Sequence, residues 1–495
     1  MTDAFASLFD AARGDAFSLL RGGFRPPSPP PSPGLKSIVV HANSYGIGGL
    51  ERVVREQCAM FLGMGLEVHL ALSVPPGEGA YSVPEGVRVH VLPAPDADYR
   101  ASVMRRAEGL CRIVSGARAG LYLDSAYQNL FFRRSFELWD WIALKTALGT
   151  RVVLHWHSVF SRFLRMPGGE RFADAAFGMA GLCDGLIALS RIDAAFFSAL
   201  GFRCWFLPNP VDPQLAARAR RTSRGGAPTV LWCGRLAEVK RPVDALRTLL
   251  AVRRLSPGVR LLMVGGGGMM DELRSFVREN GLDGSVEFAG ERNDVYGYFG
   301  EADAMLSTSD CEGYPMTFVE AMAFGLPTVS FGKGYLEVAR GNPAVVSVPA
   351  GDYDAAARAL VDVLPGGRRR GEACAAADAA WGSLKGFDLA KAYGQMFSEV
   401  CGGARPTAGG GVRPDMELVA EEVVRAFSAG ESERMEALRR GLAAASLRRY
   451  LPLVRRWERL LSWLAVGKAR ARHGECAVRC GRLVRFLKGA ECDFT

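Results

Sequence analysis

SIVVHANSYGIGGLERVVREQCAMFLGMGLEVHLALSV, Ser37–Val74, decides the fold. It opens on SIVVHA, a short β-branched run with the composition of a buried strand. SYGIGG follows, a loop too rich in glycine to continue either a strand or a helix. LERVVREQCAMFLGMG then places Leu50, Val53, Val54, Cys58, Phe61 and Leu62 on one face of a helix, which stops at Gly63–Gly65. EVHLALSV reads as a second strand. A strand, a crossover helix and a strand make a βαβ unit, and βαβ units build parallel, doubly wound sheets.

Outward from this unit the alternation continues. Strands are expected at GLYLD, RVVLHW, GLIALS and CWFLPN, with helical stretches between them. PNPVDP, Pro208–Pro213, interrupts the pattern, and a second run repeats it. PTVLWCG leads to a helix near Pro242–Arg254, then VRLLMVGGGG, a helix over Asp271–Asn280, SVEFAG, AMLSTS, EGYPMTFVEAMAFG and PTVSFG. Two α/β domains follow, 35–207 and 208–402. Ahead of them, residues 1–24 form one short helix with Phe5, Leu8, Phe9 and Ala12 at helical spacing, either a loosely docked tail or a membrane-surface helix. RPPSPPPSPG, Arg25–Gly34, is a stiff extended linker. Residues 403–495 are a second linker followed by a basic helical extension.

The bulk numbers agree with several domains. The chain has 495 residues, 49% hydrophobic and 23% charged, enough for large cores. Its net charge of +9 is unevenly spread: Arg439–Lys488 carries fourteen Lys and Arg against Glu458 and Glu475. Eleven cysteines without regular spacing, no signal peptide and no apolar run of transmembrane length point to a reduced, cytoplasmic protein.

Chemistry concentrates in the second domain. In EGYPMTFVEAMAFGLP, Glu312–Pro327, two carboxylates stand eight residues apart. Pro315 suits a first helical turn, so Glu312 belongs to the loop and Glu320 to the helix. Such a loop offers free backbone N–H groups and a positive dipole end to a phosphate or to sugar hydroxyls, and a helical carboxylate can accept both hydroxyls of a ribose. CGRLAEVKRP, Cys233–Pro242, places Arg235 and Lys240 on a strand-to-helix turn, where fixed cations can neutralise a diphosphate.

Together these stretches resemble glycosyltransferase family 4, the retaining enzymes of GT-B architecture. GGLERVV (Gly48–Val54), GRL…K (Gly234–Lys240), VGGG (Val264–Gly267) with VEFAG (Val286–Gly290), and the Glu-x7-Glu block match in order, and PNPVD matches the usual entrance to the second domain. The resemblance covers roughly Lys36 to Val400. It implies two Rossmann-like domains facing a cleft that holds a nucleotide-diphosphate sugar, UDP- or GDP-linked, with no separate cofactor. Gly48 and Gly49 would let the first domain approach the diphosphate. Arg235 and Lys240 would grip the phosphates, Glu312 would contact the transferred sugar, and the backbone of Gly313, Tyr314, Pro315, Met316 and Thr317 would line sugar and phosphate. Glu320 would hold the ribose and the base would lie near Gly290–Asp294. The family also carries a histidine beside the reacting carbon; HWHS offers His155 and His157, with His157 preferred because it ends the strand and precedes a polar turn.

The implied reaction is metal-independent transfer with retention to an acceptor hydroxyl, on a cell-surface glycan or a lipid-linked saccharide. The alternatives are a nucleotide-sugar epimerase or hydrolase on the same fold, and a non-catalytic nucleotide-sugar-binding or scaffold protein. Departures from the family are Tyr314, where most relatives have Phe, and AVVSV after Gly334 and Glu337. VGGGG lacks dinucleotide-fingerprint spacing, because position 270 is Met. His473, Cys476, Cys480 and Cys492 are too irregular for a metal site. In the extension, Leu453, Trp457, Leu460, Leu461 and Leu464 recur at helical spacing beside Arg455, Arg456 and Arg459, a helical appendage or a contact with an anionic membrane surface on the inner face. No nucleic-acid motif accompanies the charge. SAYQNLFFRRSFELWDW, Ser125–Trp141, either shapes an acceptor site or packs Phe131, Phe136 and Trp139 into the core.

Overall fold

The computed structural model describes residues 3–26, 34–77, 79–126, 135–165, 179–199, 201–219, 226–332, 336–402 and 422. Of these, the residues up to Pro208 and the helix Leu389–Gly402 belong to one compact unit, and those within Asn209–Asp388 form a second.

The first unit is built on a parallel sheet of β1 (Ser37–Ala42), β2 (Glu67–Leu72), β3 (Arg88–Val91), β4 (Leu121–Asp124), β5 (Arg151–Trp156), β6 (Gly185–Ala188) and β7 (Cys204–Phe206). Their order is β3-β2-β1-β4-β5-β6-β7. Ile38 pairs with Val68 on one side and Leu121 on the other. Helices α1 (Asp3–Ala11), α2 (Ala16–Arg21), α3 (Gly49–Gly63), α4 (Tyr99–Gly116), α5 (Phe136–Leu148), α6 (Phe160–Arg165) and α7 (Arg191–Ala199) complete its front part. β1, β4 and β5 are buried along their whole length, as expected for strands covered on both faces. β3 escapes the sequence reading because RVHV is short and largely exposed at the sheet edge.

The second unit repeats the plan with β8 (Thr229–Cys233), β9 (Arg260–Val264), β10 (Val286–Gly290), β11 (Ala304–Ser307), β12 (Thr328–Phe331) and β13 (Val345–Val348), ordered β10-β9-β8-β11-β12-β13. Its helices are α8 (Leu215–Arg218), α9 (Pro242–Leu255), α10 (Met270–Glu279), α11 (Tyr296–Glu301), α12 (Met316–Ala323), α13 (Tyr353–Val363) and α14 (Arg370–Lys385). The fold class is therefore α/β with two doubly wound, Rossmann-like sheets, as read from the sequence.

Two boundaries differ from expectation. Residues 1–24 form two helices, not one, because Arg13 and Gly14 turn the chain through positive φ (52° and 71°), which breaks the α-helical register. Asp15 then caps α2 by accepting from the Phe17 N–H. Nor are these helices a loose tail. Phe5 and Phe9 are buried against Trp139 of α5, with ring centroids 5.8 and 4.8 Å apart, and Arg100 donates two bonds to Asp10. Their apolar face is occupied, and a membrane-surface role for it falls away.

The second unit ends at Asp388 instead of at residue 402. The last described helix, α15 (Leu389–Gly402), joins the first unit's core, where Tyr393, Met396, Phe397 and Val400 pack with Val54, Cys58 and Phe61. Arg151 donates to the carbonyls of Val400 and Cys401, and the Trp205 indole N–H donates to Glu399 at 2.8 Å. The Pro-rich stretch 27–33, residues 127–134 with Phe131, Gly334, and the extension with its basic helix and His473 cluster lie outside the described residues.

Candidate functional site

In open α/β sheets, ligands collect beyond the carboxyl ends of the strands where the strand order reverses. In the second unit that point lies between β8 and β11. The loop after β8 carries Arg235 and Lys240, and the loop after β11 carries Glu312. The structure brings the last two together: Lys240 Nζ stands 2.7 Å from Glu312 Oε1. Arg235 is exposed in the same loop, with no acidic partner among the described residues.

The two loops are stitched below this pair. The Trp232 indole donates to the Thr308 hydroxyl at 2.9 Å, and that hydroxyl lies 2.9 Å from the carbonyls of both Lys240 and Arg241. The Asp310 N–H donates to the Val239 carbonyl at 2.8 Å. Pro242 opens α9 at its first position, where a missing N–H costs no helical bond.

The glycine run after β9 is part of the same assembly. Gly265 and Gly267 have φ of +143° and +148°, and a Cβ on either would meet the carbonyl oxygens of Gly234 at 1.9 Å and Leu236 at 2.4 Å. Only glycine lets this loop lie against the β8 loop. Leu236 N–H donates to Gly266 O, and Gly265 N–H to Gly290 O, so Gly290 at the end of β10 is tied in as well. Asp294, a few residues on, accepts from the Tyr296 N–H, and Tyr296 donates to Asp212 of PNPVD.

Pro315 falls one residue ahead of α12, at its cap, and the helix begins at Met316. Gly313, Met316 and Thr317 are half-buried, while Tyr314 is buried, which pushes its phenol pKa well up. Glu320 lies within α12, as expected, and is only 1% exposed.

The first unit has its own reversal point, between β1 and β4. Gly48 caps α3 and Gly49 is its first residue, in the loop after β1. The Glu51 carboxylate lies over Gly48, within 2.4 Å of where a Cβ would sit. His157 directly follows β5 and is held near the His155 ring, centroids 3.8 Å apart. Burial lowers its pKa to about 3, with Asp124 opposing the shift. His155 is fully buried and also pushed well down. Gln57 of α3 donates to His155 Nδ1 at 2.9 Å and to the Tyr393 hydroxyl at 2.8 Å, which leaves the His155 proton on Nε2.

Sequence reading missed the polar network beneath this site. Asp124 accepts from the Trp141 indole (2.6 Å), the Ala126 N–H (2.8 Å) and His41 Nδ1 (3.3 Å). Arg106 reaches His41 Nε2, the Ser73 hydroxyl and Asp140, the last at 2.8 Å. Burial raises the Asp140 carboxyl pKa to about 6 against the pull of Arg106. The available signal was a lone His in SIVVHA and a lone Asp ending LYLD, polar residues in otherwise apolar strands. Trp139 proves to be core and Phe136 half-buried.

Comparison with known proteins matches both units. The Glycosyltransferase Family 4 model fits residues 47–215, and the model described as Glycosyl transferases group 1 fits residues 227–365. A GDP-mannose-dependent alpha-(1-6)-phosphatidylinositol monomannoside mannosyltransferase of Mycobacterium tuberculosis (strain ATCC 25618 / H37Rv) is 30% identical over 210 residues, 39% of this chain and 54% of that one. The lipopolysaccharide core biosynthesis glycosyltransferase LpsE of Rhizobium meliloti (strain 1021) is 32% identical over 149 residues, 30% of this chain and 42% of that one. The chain spans about half the length of the curated relatives it matches. Among solved structures, Anabaena Alr3699/HepE in complex with UDP-glucose gives a TM-score of 0.56 at 19% identity, covering 73% of this chain and 98% of that one. WaaG, a glycosyltransferase involved in lipopolysaccharide biosynthesis, gives 0.54 at 14%, covering 74% and 100%. These neighbours share the GT-B fold.

Proposed function

The chain belongs to the family 4, group 1 glycosyltransferases, and we propose that it moves a sugar from a nucleotide-diphosphate sugar to an acceptor hydroxyl with retention of configuration. The observation that carries the reading is the meeting of Lys240 and Glu312 at the β8/β11 reversal point, beside Arg235. Two cations of one strand-end loop suit a diphosphate whose negative charge grows as it leaves, and a carboxylate at the same place suits the hydroxyls of the sugar attached to it. The first-turn amides of α12 add donors for sugar or phosphate oxygens.

In the proposed reaction the bond between the anomeric carbon and the diphosphate breaks, and a bond to the acceptor oxygen forms on the same face. The acceptor proton passes to the departing diphosphate oxygen. Arg235 and Lys240 supply the positive charge, so the reading requires no divalent ion. Catalysis is then positioning and electrostatics, with no protein nucleophile. The role implied for His157, beside the reacting carbon, fits a neutral imidazole, because burial keeps it uncharged at ordinary pH.

The relatives' names support a UDP- or GDP-linked donor and a cell-surface glycan or lipid-linked saccharide as acceptor. Among the described residues no helix is long and apolar enough to cross a membrane. The basic run Arg439–Lys488 supports a cytoplasmic enzyme that meets an anionic membrane surface, where a lipid-linked acceptor would reside.

Thermal unfolding across UDP-, GDP- and ADP-linked sugars tests the reading, with Lys240→Ala alongside. A donor at a hundred times its Kd stabilises the folded chain by about 2.7 kcal/mol. Losing one charge-assisted contact costs about 1.5–3 kcal/mol of that affinity, so the variant's response collapses. If no nucleotide sugar shifts the melting of the folded parent, the donor site is not here. Turnover with a supplied acceptor then separates an enzyme from a silent binder.

A further inference from the structure

The Lys240–Glu312 pair has a property that the two residues do not have separately. Lys240 is 26% exposed and Glu312 13%, so both face a partly dry site where charges act strongly. Their loops cannot drift apart easily, because Thr308 and Asp310 tie the β11 loop to the Val239–Arg241 backbone. The carboxylate is therefore held against the cation that the proposed donor's phosphate would use. Any phosphate that comes to Lys240 also comes to Glu312.

The substrate and product of the proposed reaction respond to that differently. In a sugar-linked diphosphate the outer phosphate is a diester-like monoanion and carries a sugar whose hydroxyls can donate to a carboxylate. In the released nucleoside diphosphate the outer phosphate has lost the sugar and has a second ionisation near pH ~6, so at neutral pH it is largely a dianion. Glu312 accepts hydrogen bonds from the first and repels the second. Arg235, exposed and without an acidic partner among the described residues, attracts the dianion more than the monoanion, so the preference for the sugar-bearing form falls to the carboxylate.

Building on the donor-site reading above, we infer that Glu312 selects for the sugar-bearing diphosphate against the bare diphosphate, acting through its fixed position beside Lys240, and thereby favours product release. The carboxylate serves as a discriminator as well as a sugar contact.

Isothermal titration of the full chain with UDP and UDP-glucose, and with GDP and GDP-mannose, tests this in the parent, Glu312→Gln and Glu312→Asp. The Gln variant keeps the volume and removes the charge. Bare diphosphate should then bind at least about tenfold tighter relative to its sugar-linked form than it does in the parent. The Asp variant keeps the charge and should hold the ratio near the parent value. A ratio unchanged in Glu312→Gln, or one that falls equally in Glu312→Asp, overturns the inference while leaving the donor site standing. A folded parent that binds none of the four nucleotides overturns the donor-site reading itself, and the inference with it. Circular dichroism of each variant shows that the comparison is between folded proteins, and Glu312→Ala, which also removes the charge, carries the test with the same expected shift if the Gln variant does not fold.

Discussion

Gly265→Ala probes the machinery without touching any residue assigned to the ligand. The new Cβ would stand 1.9 Å from the Gly234 carbonyl oxygen, whereas real Cβ contacts essentially never fall below 3.0 Å. The difference, 3.0 − 1.9 = 1.1 Å, must be absorbed by backbone, because the obstructing atom is itself backbone. φ of +143° adds strain for any L side chain. Gly234 N–H to Val264 O and Leu236 N–H to Gly266 O bracket the contact, so the displacement falls on the loop bearing Arg235. Losing the charge-assisted contact that Arg235 would make with the ligand costs about 1.5–3 kcal/mol of affinity, roughly ten- to a hundredfold or more in Kd. The fold itself should lose only about 1–3 kcal/mol from the overpacking. Calorimetric titration with the stabilising nucleotide sugar, beside urea unfolding, separates the two effects. Gly268→Ala is the control: nothing lies within 4 Å of its Cβ, and binding should not change. Equal affinity in the two variants would show that the β8 and β9 loops do not need their close approach, and the account of the glycine run would fail.

Two further outcomes follow from the first unit. Asp140→Ala leaves the Arg106 guanidinium buried without its carboxylate (side chains 5% and 1% exposed), and should cost about 3–5 kcal/mol in urea unfolding; Arg106→Met with Asp140→Leu together should recover most of it. His157, with its pKa near 3 when folded and 6.5 when unfolded, takes up a proton mainly on unfolding between those values, so the stability its neutral form provides is present above pH 6.5 and lost as pH falls. From pH 6.5 to 5 that loss is about 1.6 kcal/mol, and a folded His157→Gln variant should show a correspondingly shallower fall in Tm over the same range; parallel curves would refute the burial argument.

The placement of the residues proposed for the donor was legible because each sits in a local pattern. Arg235 and Lys240 follow a strand, and Glu312 and Glu320 straddle a helix start, so spacing alone places them on a loop and a helix. What spacing does not carry is partnership across distance. Arg106 and Asp140 lie on separate helices, and nothing in either segment marks them as a pair. Leu389–Gly402 shows an apolar face at helical period, but periodicity does not say which sheet will cover it, and the first unit's does. Residues 1–24 read as a loose tail or a membrane-surface helix for the same reason: the burial of Phe5 and Phe9 depends on Trp139, more than a hundred residues away in the chain. The glycine run was recognisable as a block, yet its task, pressing two backbones together, appears only once Gly234 and Leu236 are seen beneath it.

The return of α15 to the first unit has a bearing on how the chain is made. Residues leave the ribosome in order, and domains fold as they become complete. The second unit is continuous, Asn209–Asp388, and has all its parts once its last residue is out. The first unit is not: Phe61 and Val54 lack Tyr393, Met396 and Phe397 until some 180 intervening residues, Asn209–Asp388, have been synthesised. For that interval the nascent chain carries an uncovered apolar strip on α3, and the unit translated first is the last to close. Truncation before Leu389 would make that exposure permanent, so shortened products of this chain should be caught by chaperones or aggregate even when both sheets are present.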